Sequence, residues 1–337
     1  MVSTSPLKDK KLNIVFRWDA GKKFGNGHFM RCMVLGGELI NRGHTVTVLS
    51  RQVPHKFKLM LFEIGIIVKI IRNDGNGLTE LSELNKIKNI DWLIIDHYHV
   101  QASWETDARK FTLHIMVIDD LANRQHDCDL LLDQNIPNKL HKQYDYLVPA
   151  HCIKAIGWEY LLARPSFYVQ NNQAQSGTLV FLGGGDKSIE LSKLIKKLLN
   201  HSELHPIKVL VTSEYFPLDH WKSIIGEYGT VHCDLVDPAA LYGSAALALV
   251  RCGFVSYELA LLGISTVNIY STSVQTEVAR SLEFHGVGVA LSELNLNNDS
   301  ALHEALNRAV ALNLLALNRK LIYGANAVAE LLEKTNE

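Results

Sequence analysis

The sequence predicts an α/β protein made of two Rossmann-like domains facing an interdomain cleft, and three observations predict it. The chain has 337 residues, long for a single hydrophobic core. Short, nearly continuous apolar runs alternate with segments of helical spacing, the pattern of parallel strands covered on both faces. That alternation lapses once, around Gly157 to Ser176, and then restarts with a strand and a Gly-rich turn like those that open the chain. Domains are therefore expected over residues 1–165 and 176–337.

In the first domain, strands are expected at 12–16, 45–49, 66–71, 92–95, 114–118 and 130–132. The stretch 29–42 carries apolar residues at helical spacing and stops at Gly43, a residue suited to a left-handed cap. Further helices are expected at 56–63, 78–88 and 103–111. Ala163-Arg164-Pro165-Ser166 and the polar residues 170–177 read as a linker. The second domain resumes with a strand at 178–182, a helix at 188–200, and strands at 207–211, 231–235, 245–250 and 265–269, each followed by a helical stretch. A last amphipathic stretch, 313–334, is expected to pack across both domains.

Composition excludes several classes of function. Acidic and basic residues nearly cancel, 35 against 34, and neither sign forms a run, which argues against a nucleic-acid or polybasic membrane-surface role. Cys32, Cys128, Cys152, Cys233 and Cys252 are scattered without a CxxC pair, so they read as reduced thiols. The N-terminal residues are polar and lysine-rich, without the apolar core of a signal peptide, and no apolar stretch is long enough to span a bilayer. The expectation is a soluble cytoplasmic protein, monomeric, with a small-molecule substrate and no cofactor.

The chemistry-bearing residues gather after strands. Gly25-x-Gly27-His28-x-x-Arg31 follows the first strand, whose end carries Arg17 and Asp19. It is not a dinucleotide fingerprint, because Met30 replaces the third glycine. A histidine at a helix start beside glycines suits proton transfer next to a bound anion, although a tight turn would look the same. Arg31, three residues on, shares a helix face with His28. Asp96-His97-Tyr98-His99 and Asp119-Asp120-Leu121-Ala122-Asn123-Arg124 follow later strands. Helix capping would account for either cluster alone but not for all three. His97-x-His99 with Asp119, Asp120 or His126 is the competing zinc set, though no HExxH accompanies it. In the second domain, Gly183-Gly184-Gly185 before a helix fits a phosphate cradle or a flexible turn. Glu258, in a first helical turn, suits sugar hydroxyls or compensation of the helix dipole.

These motifs, with Leu132-Asp133-Gln134-Asn135, closely resemble the UDP-2,4-diacetamido-2,4,6-trideoxy-β-L-altropyranose hydrolases, nucleotide-sugar hydrolases of the pseudaminic acid pathway. The resemblance is firmest over the first half of the chain. It implies a glycosyltransferase-B fold with UDP held mainly by the second domain. It also implies metal-independent, inverting attack of water on the anomeric carbon. The family's catalytic histidine falls on His28 and its tyrosine on Tyr98, with Asp19 beside them. Substrate contacts are expected from Arg17, Gly25, Gly27, Arg31, Asp96, His97, Asp119 and Asp120. Nucleotide contacts are expected from Gly183, Gly184, Gly185, Arg251, Gly253, Ser256, Glu258 and Gln275. Where the family carries Gly-Gly-Ser-Thr-Ser-Trp-Glu, this chain has Cys252-Gly253-Phe254-Val255-Ser256-Tyr257-Glu258, which sets a bulky Phe254 near the expected pyrophosphate. Two alternatives keep the fold: a glycosyltransferase with an acceptor other than water, and a nucleotide-sugar binding protein without turnover.

Overall fold

The alternating apolar runs pair as parallel strands. The structure, a computed structural model, describes residues 11–20, 27–72, 75–136, 142–169, 174–183, 188–212, 217–312 and 323–335. The chain divides into two compact units, one of residues 1–134, 141–162 and 324–337 and the other of 135–140 and 163–323.

In the first unit the described strands are β1 (Asn13–Arg17), β2 (Thr45–Ser50), β3 (Ile67–Ile70), β4 (Ile90–Ile95), β5 (Thr112–Ile118), β6 (Leu130–Asp133) and β7 (Ile153–Ile156). They form one parallel sheet in the order β3-β2-β1-β4-β5-β6-β7. The order reverses between β1 and β4, the switch point at which open α/β sheets bind ligands beyond their strand ends. The edge strand β7 was not anticipated, because its four residues include a lysine and carry no clear period. The helices are α1 (Gly27–Asn41), α2 (His55–Glu63), α3 (Leu78–Ile87) and α4 (Ala102–Ala108). Helix α1 buries Phe29, Cys32, Leu35 and Leu39 along one face. It ends in a Schellman arrangement: Gly43 adopts φ +87°, its N–H donates to Ile40 O at 2.9 Å, and His44 N donates to Leu39 O at 3.0 Å.

The second unit repeats the plan with β8 (Thr178–Phe181), β9 (Ile207–Val211), β10 (Gly229–Cys233), β11 (Leu247–Arg251), β12 (Ser265–Tyr270) and β13 (Val289–Ser292), in the order β10-β9-β8-β11-β12-β13. Its helices are α5 (Ser188–Leu198), α6 (Leu218–Ile225), α7 (Ala239–Gly243), α8 (Phe254–Leu261), α9 (Ser273–Phe284) and α10 (Asp299–Val310). Strand β10 starts two residues before the expected 231, since Gly229 pairs with Ile207; a Cβ there would lie 1.8 Å from Ile207 O. Strand β13 was also unanticipated. Residues 163–169 are packed rather than open, with Ala163 and Phe167 buried in this unit. The expected linker residues 170–173 lie outside the described residues.

Of the expected terminal stretch, 313–322 lie outside the described residues, and the remainder forms α11 (Gly324–Lys334), which belongs to the first unit. Its Ala325, Val328, Ala329 and Leu332 are fully buried. Trp92 Nε1 donates to Leu332 O at 3.1 Å, and Glu333 receives Arg42 at 2.7 Å and His44 at 2.9 Å. Among the described residues, no helix is long and apolar enough to cross a membrane.

Candidate active site

The first unit gathers its polar residues at the carboxyl ends of β1, β4 and β5. The backbone of β4 runs one residue beyond the strand, with Asp96 N donating to Arg17 O at 3.0 Å. This places the Asp96 carboxylate under the first turn of α1. His28 Nδ1 lies 2.6 Å from Asp96 Oδ1, and Arg31 donates to both carboxylate oxygens, Nε to Oδ2 at 2.6 Å. Cys32 Sγ adds a weaker contact to Oδ2 at 3.4 Å. Burial alone would raise the Asp96 carboxyl; the charge of Arg31 and the hydrogen bonds from Arg31 and His28 outweigh it and hold the group well below the usual carboxylate range. An ionised oxygen this close to a ring nitrogen requires a proton between them, so Nδ1 carries it. His28 Nε2 then holds the free lone pair, and it has no hydrogen-bond partner among the described residues.

Arg31 continues the network. Its Nη1 donates to Asp120 Oδ2 at 3.2 Å, and the same oxygen accepts the Tyr98 hydroxyl at 3.1 Å. The Tyr98 ring returns to His28 edge-on, with centroids 4.8 Å apart and planes at 72°. Burial, and then the Asp120 charge, push the Tyr98 hydroxyl well above the ordinary phenol range. His28, Asp96, Arg31, Asp120 and Tyr98 thus form one closed circuit.

Asp19 forms a second knot. It receives both terminal nitrogens of Arg17 at 2.8 and 3.1 Å, Ser50 Oγ at 3.2 Å, Arg51 N at 2.8 Å and His97 Nε2 at 3.1 Å. Because His97 Nδ1 accepts the His99 N–H at 3.1 Å, the His97 proton sits on Nε2 and points at Asp19. Burial opposes the charged form, but the bonds from His97 and Arg17 prevail and hold Asp19 well below the usual range. Five donors fill this carboxylate. Asp119 is equally committed and fully buried. It accepts from Leu121 N at 3.3 Å, Ala122 N at 2.9 Å and Arg124 Nη1 at 2.6 Å, bracing a loop in which Ala122 has φ +46°. Gly27 opens α1, whereas Gly25 lies outside the described residues. His97 and His99 do not converge on Asp119 and His126 as ligands. Among the described residues, no group of three or more His, Cys, Asp and Glu could hold a metal ion.

In the second unit, the loops after β11 and β12 are stitched together. Arg251 pairs with Glu293 and donates Nη1 to Ser271 Oγ at 2.9 Å; Ser271 N and Oγ in turn meet Gln275 Oε1 at 3.0 and 3.2 Å. Arg251 is therefore a paired cation. Gly253 N donates to Ser256 Oγ at 3.3 Å, closing the start of α8. Glu258 is buried and paired with Arg164 Nη2 at 3.0 Å, while Arg164 Nη1 donates to Val236 O at 2.6 Å. Burial pushes the Glu258 carboxyl up to about 7, against the pull of Arg164. Gly183 has φ +92°, a conformation that favours glycine; Gly184 and Gly185 lie outside the described residues. Sequence reasoning misses Arg164, read as linker, along with Ser50 and Glu293. Each reaches its partner across the fold rather than along a motif.

No family model matches the chain. Over 179 residues it is 27% identical to the UDP-2,4-diacetamido-2,4,6-trideoxy-β-L-altropyranose hydrolase of Campylobacter jejuni subsp. jejuni serotype O:2, covering 52% of this chain and 61% of that protein. The chain thus spans about three fifths of the curated relative it matches. Among solved structures, the glycotransferase of kitacinnamycin aligns with a TM-score of 0.67 at 15% identity, covering 97% of this chain and 100% of its own. MurG of Acinetobacter baumannii aligns at 0.64 and 15% identity, over 96% and 99%. The fold is of the glycosyltransferase-B type, two Rossmann-like units. UDP-GlcNAc 2-epimerase of Neisseria meningitidis shares it, at 0.56 and 12% identity over 96% of this chain and 100% of its own.

Proposed function

We propose that the protein is a nucleotide-sugar hydrolase. It cleaves the anomeric C–O bond of a UDP-linked diacetamido-trideoxy-hexose and releases UDP and the free sugar with inversion. The His28–Asp96 pair carries this reading, at 2.6 Å and with Nε2 left as a base. The name of the Campylobacter relative supports the substrate.

In the proposed reaction, water attacks the anomeric carbon from the face opposite the nucleotide while His28 Nε2 takes its proton. The anomeric C–O bond breaks, and its electron pair leaves on the β-phosphate oxygen. Asp96 stabilises the imidazolium that forms and fixes the ring's orientation, as a carboxylate does behind a catalytic histidine. Asp96 is thereby a positioning residue rather than a substrate contact. Asp19 likewise acts by holding Arg17 and His97, which with Gly27 and Tyr98 stay as proposed sugar contacts. The nucleotide is assigned to the second unit: Glu258 to the ribose diol, and Gly183 to Gly185, Gly253, Ser256 and Gln275 to the loops around the diphosphate. Helix N-termini and backbone N–H groups take the leaving group's charge, without a metal.

The test is incubation with the UDP-linked sugar while anomeric protons and UDP are followed by NMR. Release of UDP with an inverted free sugar is expected. Absence of turnover by the wild type, or turnover only after an alcohol acceptor is added, rejects the hydrolase reading.

A further inference from the structure

We propose that Asp120 is a positioning residue that fixes the hydroxyl proton of Tyr98, so that the phenol oxygen meets a ligand only as a hydrogen-bond acceptor. A phenol has one proton to give and oxygen lone pairs with which to accept. Tyr98 donates that proton to Asp120 Oδ2 at 3.1 Å, a charge-assisted bond stronger than one to a neutral ligand oxygen. The carboxylate is itself fixed. The same Oδ2 takes Arg31 Nη1 at 3.2 Å, and Arg31 is clamped by two bonds to Asp96. Asp120 Oδ1 is buried and has no hydrogen-bond partner among the described residues, so the donors on Oδ2 set the carboxylate's orientation.

The ring is held from the other side by its edge contact with His28. Tyr98 nevertheless keeps 38% of its surface exposed, and its hydrogen bond to Asp120 lies at the exposed side of the site. The chemistry selected is an O–H or N–H donor. Both the attacking water and the hydroxyl and acetamido groups of the sugar supply one. A neutral acceptor group such as a carbonyl oxygen is refused. Asp120, expected from sequence as a substrate contact, acts here through Tyr98.

This inference rests on the hydrolase reading for one of its two tests. With the UDP-linked sugar as probe, Asp120→Ala is expected to lower kcat/KM by about ten- to a hundredfold, the worth of a hydrogen bond to a charged group. Asp120→Asn, which keeps an acceptor oxygen, recovers part of the loss. In a Tyr98→Phe background Asp120→Ala adds nothing further. A fall in kcat identifies the donor as the attacking water, and a rise in KM identifies it as a group of the sugar. Multiplication of the two single losses in the double variant overturns the proposal. The second test needs no turnover. In protein labelled with ¹³C at tyrosine Cζ, the Tyr98 signal, assigned by its disappearance in Tyr98→Phe, shifts in Asp120→Ala and moves less in Asp120→Asn. An unmoved signal in folded Asp120→Ala protein overturns the proposal even if the wild type hydrolyses nothing.

Discussion

Asp96 collects His28, Arg31 and Cys32 on one buried carboxylate, and its removal separates two consequences. Asp96→Asn leaves a side chain of the same shape but a poor partner for the imidazolium. It is expected to cut kcat by about 10²- to 10⁴-fold with little change in KM, read from steady-state kinetics. Asp96→Ala also strips the buried Arg31 cation of its main partner and is expected to destabilise by about 3 kcal/mol in urea unfolding. The titrations point in opposite directions. Asp19 and Asp96 have folded values depressed below the ordinary 3.8, so the folded state binds their protons less readily than the unfolded chain does. Their stabilisation is present above that ordinary value and is lost as pH falls below it. Glu258 is raised from the ordinary 4.5 to about 7, so across that window the folded state holds the extra proton and stability declines as pH rises. Glu258→Gln is expected to flatten the thermal-stability slope between those values. If the charged carboxylate binds the ribose, UDP affinity measured by calorimetry rises through about pH 7 in the wild type and not in the variant.

At the scale of elements, α1 is the part most fully written in the sequence, because its start, apolar face and stop are all local. Its Gly43 cap sits at φ +87°, where a β-branched side chain is strained. Gly43→Val is therefore expected to cost about 1–3 kcal/mol in chemical denaturation; a neutral effect would mean that the turn relaxes. The longer strands were equally legible from their unbroken apolar runs, and the strand-end clusters do lie together beyond the carboxyl ends of β1, β4 and β5. Two kinds of feature were not legible. Strands β7 and β13 have four residues each and are stabilised by the neighbour they extend rather than by their own pattern. The pairings inside the site were hidden as well. Asp96 meets His28 across 68 residues and Arg164 meets Glu258 across 94, because strand order sets the first and packing in the second unit sets the other. Motif spacing could name the residues but not say which carboxylate served which cation.

For the whole molecule, two units of one plan carry different chemistry: a charged circuit around His28 in the first, and loops stitched by Arg251 and a near-neutral Glu258 in the second. The C-terminal α11 completes the first unit from the far end of the chain. Deleting residues 324–337 is expected to expose Trp92 and the face of α1, lowering thermal stability and quenching the near-ultraviolet signal of that tryptophan; an unchanged melting profile would count against this packing. The central claim is that His28 activates water for attack on the anomeric carbon. It is tested most directly by following release of UDP from the UDP-linked sugar in ¹⁸O-water, for the wild type and for His28→Ala, and weighing the UDP. The expected result is unlabelled UDP from the wild type and almost none from His28→Ala, which still binds UDP. Labelled UDP, showing attack at phosphorus, or undiminished release by His28→Ala, would contradict it.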